Sequence, residues 1–361
     1  MTTAPQTPAA GAQNSYPRGP QRDRNALETV YKMSSNENPL GCSPKVAAAV
    51  EAAAAGLGDY PPYTDDALRG GLAEMHGRGL TPEYFVTGNG GCDVLEMIAR
   101  ALLQPGDEVI INPPTFPIYA LTAEAVGARI VKVDLEPETF AVSVDAILDA
   151  LSDHTRLIYI CSPNNPTGTL LAKEQMAQIM QSLPERAIVV FDEVYYHFVS
   201  DKNRPDPIDY VLKDANIIVL HSFSKAYGLA GLRLGYCIAK PEIAQQISAL
   251  RLPFHLNTLC FEAGMAALAD TGHVAETVAV TLAGRDWLVG QLRELGLKAW
   301  SSQANFVLFR CPVPAAEWAS KLEGYGILVR PAFGLPDYLR VTVGLPEANR
   351  AFVDALTELV G

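Results

Sequence analysis

Apolar runs of strand length recur through the middle of the chain, and each is bounded by turn-forming or charged residues. The runs are DEVIINPP, ARIVKVDL, TRLIYICSP, AIVVFDEVY, NIIVLHSFS and RLGYCIA. Helix-length segments such as LAKEQMAQIMQSLPE separate several of them. Runs that are apolar almost throughout, rather than alternating with polar residues, are typical of parallel strands covered on both faces. The pattern predicts an α/β fold, with a large domain whose mostly parallel sheet is sandwiched by helices.

The pattern changes after about residue 260. A helical stretch at 274–295 is followed by the shorter units NFVLFR, GILVRP and LRVTVG, with a helix around Trp318 and another at the C-terminus. Short strands mixed with helices predict a smaller α+β C-terminal domain. We therefore place the large domain at 43–258 and the small domain at 259–361.

The first residues of the chain are rich in Pro, Ala, Gln and Gly and lack the apolar core of a secretory signal. Such a composition predicts a disordered tail at 1–25. The longest apolar runs have the length of strands, so no membrane-spanning helix is predicted. A cytoplasmic location is the resulting expectation.

The net charge of −12 argues against a nucleic-acid partner or an anionic membrane surface. An anionic ligand must then be captured by local positive groups. The 6 cysteines form no CxxC pair, and the 6 histidines form no HExxH motif. We predict no metal site and interpret most cysteines as small buried thiols.

Candidate chemistry lies just after the predicted strands, where open α/β sheets bind their ligands. In TGNGGCD (87–93), glycines open a helical pattern, which suits either phosphate binding or a plain strand-to-helix turn. SPNNPTG (162–168) favours a rigid turn. Asp192 and Glu193 follow the run AIVVF, and a buried carboxylate there needs a positive partner. A salt bridge, a helix cap and a functional carboxylate all remain open.

Lys225 stands in the stretch HSFSKAYGLAGLRLGY, among small and apolar residues. A lysine beside a core normally extends its ammonium to water. A desolvated lysine near other cations has a lowered pKa and becomes nucleophilic, able to form a Schiff base with an aldehyde. Ser222, Ser224 and Arg233 can hold an anion. Together with Asp192, these groups describe a site for pyridoxal phosphate.

Seven segments, in order, resemble those of the fold-type-I pyridoxal-phosphate aminotransferases, and most closely the histidinol-phosphate aminotransferase family. They are SNENPLG (34–40), TGNGGCD, PPTFPIY (113–119), SPNNPTG, FDEVY, SFSKAYGLAGLRLGY and LRVTVG (339–344). The resemblance extends from about residue 33 to the C-terminus. It implies that the large domain binds the cofactor and that residues 26–42 form an arm over the active site.

The resemblance also implies individual roles in cofactor binding. Lys225 would form the Schiff base and move protons, and Asp192 would keep the pyridine nitrogen protonated. Asn165 and Tyr195 would bond the phenolic oxygen, and Phe116 would stack on the ring. The residues implied at the cofactor phosphate are Gly90, Gly91, Cys92, Ser222, Ser224 and Arg233.

Substrate and assembly follow from the same resemblance. Arg340 would bind the α-carboxylate of the substrate, and Arg330 would lie near a distal phosphate. Asn36 and Glu37 lie on the arm. Tyr60 would reach the phosphate of the neighbouring subunit, which implies a homodimer with composite active sites.

Some residues depart from the family pattern. Cys92 stands where many members have a hydroxyl residue, and Phe116 where many have tyrosine. The interval 330–340 looks slightly shorter than in many members, so the side-chain pocket is expected to differ. His255 and Asn257 could reach substrate, although we interpret them as polar core residues.

The favoured function is transfer of an amino group from histidinol phosphate to 2-oxoglutarate. Three alternatives stay open: an aromatic amino acid aminotransferase, an amino-acid-phosphate decarboxylase on the same scaffold, and a regulator that only binds the cofactor. Regulators of this kind usually carry a DNA-binding module, whereas here we expect only a disordered tail before the large domain.

Overall fold

The computed structural model describes residues 30–360. Its strands are β1 (Tyr31–Lys32), β2 (Phe85–Gly88), β3 (Glu108–Ile111), β4 (Arg129–Lys132), β5 (Thr155–Cys161), β6 (Ile188–Asp192), β7 (Ile217–Ser222), β8 (Gly235–Ala239), β9 (Phe306–Arg310), β10 (Ile327–Leu328), β11 (Arg330–Ala332) and β12 (Leu335–Thr342). Its α-helices are α1 (Pro44–Ala54), α2 (Asp66–His76), α3 (Gly91–Leu102), α4 (Ile118–Ala125), α5 (Val144–Asp149), α6 (Lys173–Gln181), α7 (Pro207–Leu212), α8 (Pro241–Ser248), α9 (Thr258–Leu268), α10 (Thr271–Glu294), α11 (Ala315–Gly324) and α12 (Pro346–Val360). The tail predicted at 1–25 and the start of the predicted arm lie outside the described residues.

The larger sheet, as described, has seven strands in the order β2-β8-β7-β6-β5-β3-β4. Strands β3 to β7 pair in parallel, and β8 runs antiparallel to its neighbours. All six apolar runs noted in the sequence contribute a strand to this sheet. Val189 and Phe191 of β6 enter the apolar cluster on one face, and Ile188 and Val190 enter the cluster on the other. The predicted helix-covered, mostly parallel sheet is confirmed.

A smaller unit follows in the chain. Its sheet has the order β11-β12-β9 among the described residues, with antiparallel pairing throughout. Helices α10, α11 and α12 pack beside it around a separate apolar cluster that includes Trp318 and Phe352. The helix expected at 274–295 is present as α10. A smaller α+β unit is therefore confirmed.

The exact division between the two units remains a prediction. Helix α9 packs against α1, and its residues Cys260, Phe261 and Ala263 belong to the apolar cluster of the larger sheet. On packing grounds we propose a division after α9 rather than at 258/259.

The segment at 31–36 packs on the smaller unit. Strand β1 pairs in parallel with β10, and the buried side chain of Met33 enters the cluster of the smaller unit. The backbone N–H of Asn36 then donates to Thr342 Oγ1 at 2.9 Å.

Within residues 30–360, no helix is both long enough and apolar enough to cross a membrane.

Candidate active site

A cavity of about 400 Å³ lies between the two units, at the carboxyl ends of β5, β6 and β7. Most residues expected from the sequence line it together. They are Asn36, Glu37, Gly91, Cys92, Phe116, Asn165, Asp192, Tyr195, Ser222, Ser224, Lys225, Arg233, Arg330 and Arg340. Gly90 directly precedes this lining, and Tyr60 lies outside it.

Lys225 follows β7 and carries its amine into the cavity. Its Nζ donates a hydrogen bond to the backbone oxygen of Ser35 at 3.2 Å and lies 5.6 Å from the centre of the Tyr195 ring. Burial, followed by the positive charge of Arg340, lowers the pKa of Lys225 to about 8. About a tenth of this amine is therefore neutral at pH 7, far more than for an ordinary lysine, and a neutral amine can act as a nucleophile or base.

Asp192 ends β6 and faces the cavity from the sheet. Its Oδ2 accepts the hydroxyl of Tyr119 at 2.6 Å, and its Oδ1 accepts the backbone N–H of Val194 at 3.1 Å. Burial raises the pKa of Asp192 to about 6, although both hydrogen bonds favour the ionised form. A buried carboxylate in this position is suited to a cationic N–H group of a ligand.

Glu193 belongs to the opposite face of the sheet, because successive strand residues point to opposite sides. Its Oε2 lies 3.1 Å from Nε2 of His221, and burial raises the pKa of Glu193 to about 8. Of the two adjacent carboxyl groups left open by the sequence, Asp192 lines the cavity and Glu193 joins a polar row behind it.

Backbone amides at the start of α3, two serines and Arg233 surround one end of the cavity. Gly90 caps α3 at a φ of 86°, and a Cβ on it would overlap the guanidinium of Arg233. Arg233 Nη1 lies 3.5 Å from Ser224 Oγ, and Ser222 Oγ accepts the backbone N–H of Ser224 at 3.1 Å. A helix N-terminus beside a guanidinium and hydroxyls suits a phosphate.

Arg330 and Arg340 bring two further positive charges into the cavity. They are opposite each other in the register of β11 and β12, and only 6% and 3% of their surfaces are exposed. Arg340 donates to Asn165 Oδ1 at 2.5 Å and to the backbone oxygen of Ser34 at 2.6 Å. Like charges placed directly opposite are unfavourable, so an anion bound between them would offset their repulsion.

The two arm residues make different contacts. Asn36 Nδ2 donates to the hydroxyl of Tyr195 at 3.0 Å, and Asn36 Oδ1 accepts from Thr342 at 3.2 Å. Its side chain thus supports Tyr195. Glu37 forms an ion pair with Lys32, with 2.6 Å between Nζ and Oε1, on the cavity wall.

Three residues from the sequence analysis lie elsewhere. Tyr60 is 81% exposed and stacks on Phe254, with 4.6 Å between ring centres. His255 is half-buried and lies 2.9 Å from Asp93 Oδ2. Asn257 accepts the N–H of Cys260 as the N-cap of α9 and is exposed. The interpretation of Asn257 as a core residue was therefore wrong, because its side chain caps a helix at the surface.

The cysteines divide as their neighbours in the sequence suggest. Cys161, Cys237, Cys260 and Cys311 are buried, whereas Cys42 and Cys92 are exposed. The expected small buried thiols are present at four positions, and Cys92 faces the cavity instead.

Sequence reasoning assigned no role to Lys32 or Tyr119, although both bear on the site. Tyr119 is the last residue of the quoted segment PPTFPIY and stands three positions after Phe116. The prolines of that segment signal a turn, and a turn just before α4, in which the Tyr119 N–H donates to the Phe116 oxygen at 3.4 Å, brings the two rings together. Lys32 carries no comparable signal, since only the pairing of β1 with β10 brings it to the cavity.

Comparisons with known proteins agree with this geometry. The family described as aminotransferase class I and II matches residues 28–356. A histidinol-phosphate aminotransferase of Symbiobacterium thermophilum is 42% identical over 337 residues, covering 93% of this chain and 92% of that protein. Histidinol-phosphate aminotransferase 2 of Ralstonia nicotianae is 40% identical, covering 91% of this chain and 88% of that protein.

Solved structures share the architecture. Histidinol-phosphate aminotransferase from Sinorhizobium meliloti, crystallised in complex with pyridoxal-5'-phosphate, superposes with a TM-score of 0.84 at 26% identity. The match covers 92% of this chain and 90% of that one.

Proposed function

Because the chain belongs to the aminotransferase class I and II family, we propose that it transfers an amino group from histidinol phosphate to 2-oxoglutarate, with pyridoxal phosphate as cofactor. The observation that carries the proposal is the convergence of Lys225, Asp192, the anion site at α3 and two buried arginines on one cavity. The activity named for the similar curated proteins supports the same donor.

The residues present fit this cofactor. The helix N-terminus with Arg233 suits its phosphate, and Asp192 suits its protonated ring nitrogen. The exposed face of the Phe116 side chain can stack on the ring, and Tyr195 and Asn165 supply hydrogen-bonding groups for the phenolic oxygen. When bound, pyridoxal phosphate supplies an aldehyde that condenses with amines and a ring that withdraws electrons.

The protein residues supply binding and proton transfer. Lys225, with its lowered pKa, would take the proton from the carbon that bears the donor's amino group and would deliver it to the carbon that was the cofactor's aldehyde. Asp192 keeps a proton at the ring nitrogen through its negative charge. Asn36 holds the Tyr195 hydroxyl from the arm, which keeps the phenolic side of the site ordered.

The two arginines account for the two kinds of substrate. Arg340 can bind the carboxylate of 2-oxoglutarate or glutamate with a bidentate fork. Histidinol phosphate has no carboxylate, but its phosphate can use Arg330, Arg340 or both. The local excess of cations also compensates for the repulsion that the acidic chain as a whole exerts on an anion.

The proposal is tested by mixing purified protein with single amino donors and following cofactor absorbance in one turnover. We expect histidinol phosphate to convert the cofactor, and 2-oxoglutarate to restore it. Lys225→Ala should keep cofactor through the phosphate contacts yet lose this conversion by several orders of magnitude. Borohydride should attach the cofactor irreversibly to Lys225, as peptide mapping can check.

Other outcomes would overturn the assignment of the donor. Faster conversion by phenylalanine or tyrosine would indicate an aromatic amino acid aminotransferase, and release of carbon dioxide from an amino-acid phosphate would indicate a lyase. Cofactor bound with no donor converted would indicate a regulator. We further propose a homodimer with composite sites, and the cytoplasmic location stays a prediction.

A further inference from the structure

Tyr119 connects two sides of the proposed ring site without lining the cavity. It lies in the first turn of α4, and its side chain is almost completely buried. Its hydroxyl donates to Asp192 Oδ2 at 2.6 Å. Its ring meets the Phe116 ring edge-on, with 5.7 Å between centres. One buried side chain therefore touches both the carboxylate and the aromatic ring that would frame a flat ligand.

The Tyr119 ring is itself held in place. It stacks on Tyr159 of β5 with ring centres 4.8 Å apart and planes 11° apart. A stacked, fully buried ring has little freedom to turn, so its hydroxyl points steadily at Asp192. This hydroxyl is also shielded from water. In the protein interior, a hydrogen bond to a charged group is stronger than at the surface.

We propose that Tyr119 is a positioning residue that keeps the Asp192 carboxyl ionised and correctly oriented for a cationic ring nitrogen. This inference rests on the proposed function for the identity of the ring, but the effect on Asp192 belongs to the protein alone. It assigns to the proposed reaction a residue that never has to touch substrate or cofactor.

The electrostatics of Asp192 explain why one hydroxyl matters. The titratable groups that influence Asp192 from the cavity side are Tyr119 on α4, Cys92 on α3, Cys161 on β5, Tyr195 after β6 and Lys225 after β7, and Glu193 acts on it from the opposite face of the sheet. Burial raises the pKa of Asp192 to about 6, and the Tyr119 hydrogen bond is the largest influence that lowers it. Without that bond, the pKa of the carboxyl would rise further.

The chain offers a matched pair of variants. Tyr119→Phe removes only the hydroxyl on Asp192 and keeps the stack on Tyr159 and the contact with Phe116. Tyr159→Phe removes a hydroxyl from the same stack, one that makes no hydrogen bond to Asp192. Both replacements keep the ring volume, so cavity formation does not separate them.

The first measurement uses cofactor-free protein and compares unfolding free energies at about pH 5 and about pH 8. A folded pKa above the unfolded one makes stability fall as pH rises, until the folded carboxyl has ionised. Tyr119→Phe raises the folded pKa of Asp192 further, so its loss of stability relative to the parent should grow towards pH 8. Between the two pH values, we expect the folding equilibrium constant of Tyr119→Phe to fall about tenfold relative to that of the parent, or about 1.4 kcal/mol, and no such change for Tyr159→Phe.

The second measurement is the dissociation constant for pyridoxal phosphate, with the pH titration of its bound absorbance. We expect Tyr119→Phe to bind about tenfold more weakly, with a shifted titration, and Tyr159→Phe to match the parent. A pH-independent cost, or equal effects in both variants, would overturn the proposal and leave Tyr119 a packing residue. If the parent bound no cofactor, the proposed function would fail, whereas the unfolding measurement would still decide the role of Tyr119.

Discussion

At the scale of the residue, Arg330 and Arg340 show how similar side chains acquire different roles from their neighbours. Arg340 is bonded to Asn165 and to the arm at Ser34, close to the proposed phenolic side of the cofactor. Arg330 lies with its guanidinium over Phe333, 4.4 Å from the ring centre. Arg340 thus lies beside a residue proposed to bind the cofactor, and the binding of the distal end of a substrate by Arg330 stays a prediction.

We therefore expect Arg340→Ala to lower kcat/KM for every donor and acceptor. The loss of transition-state stabilisation should be about 2–5 kcal/mol, as when one partner of a buried charge pair is removed. Arg330→Ala should reduce kcat/KM for histidinol phosphate much more than for phenylalanine, which has no second anionic group. Steady-state kinetics with both donors test this difference. Equal and small losses in Arg330→Ala would instead favour an aromatic donor.

At the scale of the element, a buried polar row crosses the ends of three neighbouring strands. Glu193 follows β6, His221 lies on β7 and Tyr236 lies opposite it on β8. His221 Nδ1 and His76 Nε2 each lie 2.9 Å from the Tyr236 hydroxyl. Burial lowers the pKa of both histidines to about 3 and raises the pKa of Glu193 to about 8. The row is therefore held together by neutral groups.

These shifts give a pH dependence with a definite sign. Glu193 has a raised folded pKa, so the stability it contributes is present below its ordinary pKa of 4.5 and is lost as pH rises towards 8. Glu193→Gln keeps the shape but cannot ionise. We expect the unfolding free energy of the variant to gain about 3–4 kcal/mol on that of the parent between about pH 5 and about pH 8.

Denaturant unfolding at several pH values measures the difference, with Glu96→Gln on the exposed side of α3 as control. The histidines act in the other direction, since their stability is lost as pH falls from 6.5 towards 3. Their contributions to the unfolding free energy are present in both the parent and Glu193→Gln, so they cancel in the difference between the two proteins. A constant gap between parent and Glu193→Gln would show that Glu193 is ionised in the fold.

At the scale of the whole molecule, an exposed aromatic and aliphatic patch lies outside the cavity. Tyr60, Tyr63 and Leu252 are each more than two-thirds exposed, and both tyrosine rings contact Phe254. Grouped exposed apolar side chains mark interaction surfaces. The patch supports the proposed homodimer, in which Tyr60 would serve the site of the partner.

Composite sites predict complementation between two defective chains. Tyr60→Phe should weaken cofactor binding about tenfold, through loss of a hydrogen bond to a charged phosphate, and Lys225→Ala should abolish turnover. Mixed dimers should regain some parental sites, in which one chain supplies the lysine and its partner supplies the tyrosine. Activity of co-refolded mixtures measures the recovery. A fully active monomer in sedimentation experiments would contradict the composite site.

The sequence alone determined six of the seven strands described in the larger sheet, all but β2, and most of the cavity lining. The six apolar runs are local signals, because a strand buried on both faces must be apolar throughout. Lys225, Asp192 and the glycines before α3 were identifiable because each stands at the end of a strand or within a few residues of it, where open α/β sheets bind their ligands. They are also polar residues or glycines among apolar neighbours, so they can be recognised in the sequence itself.

Only the tertiary structure decided the contacts that join distant segments. Lys32 reaches the cavity through a two-residue strand pairing with β10, and Tyr119 meets Asp192 from 73 positions away. Glu193 points to the face of the sheet away from the cavity, where it contacts His221. Asn257 instead caps the N-terminus of α9. Side-chain direction, burial and the resulting pKa depend on groups remote in sequence, so no local pattern encodes them.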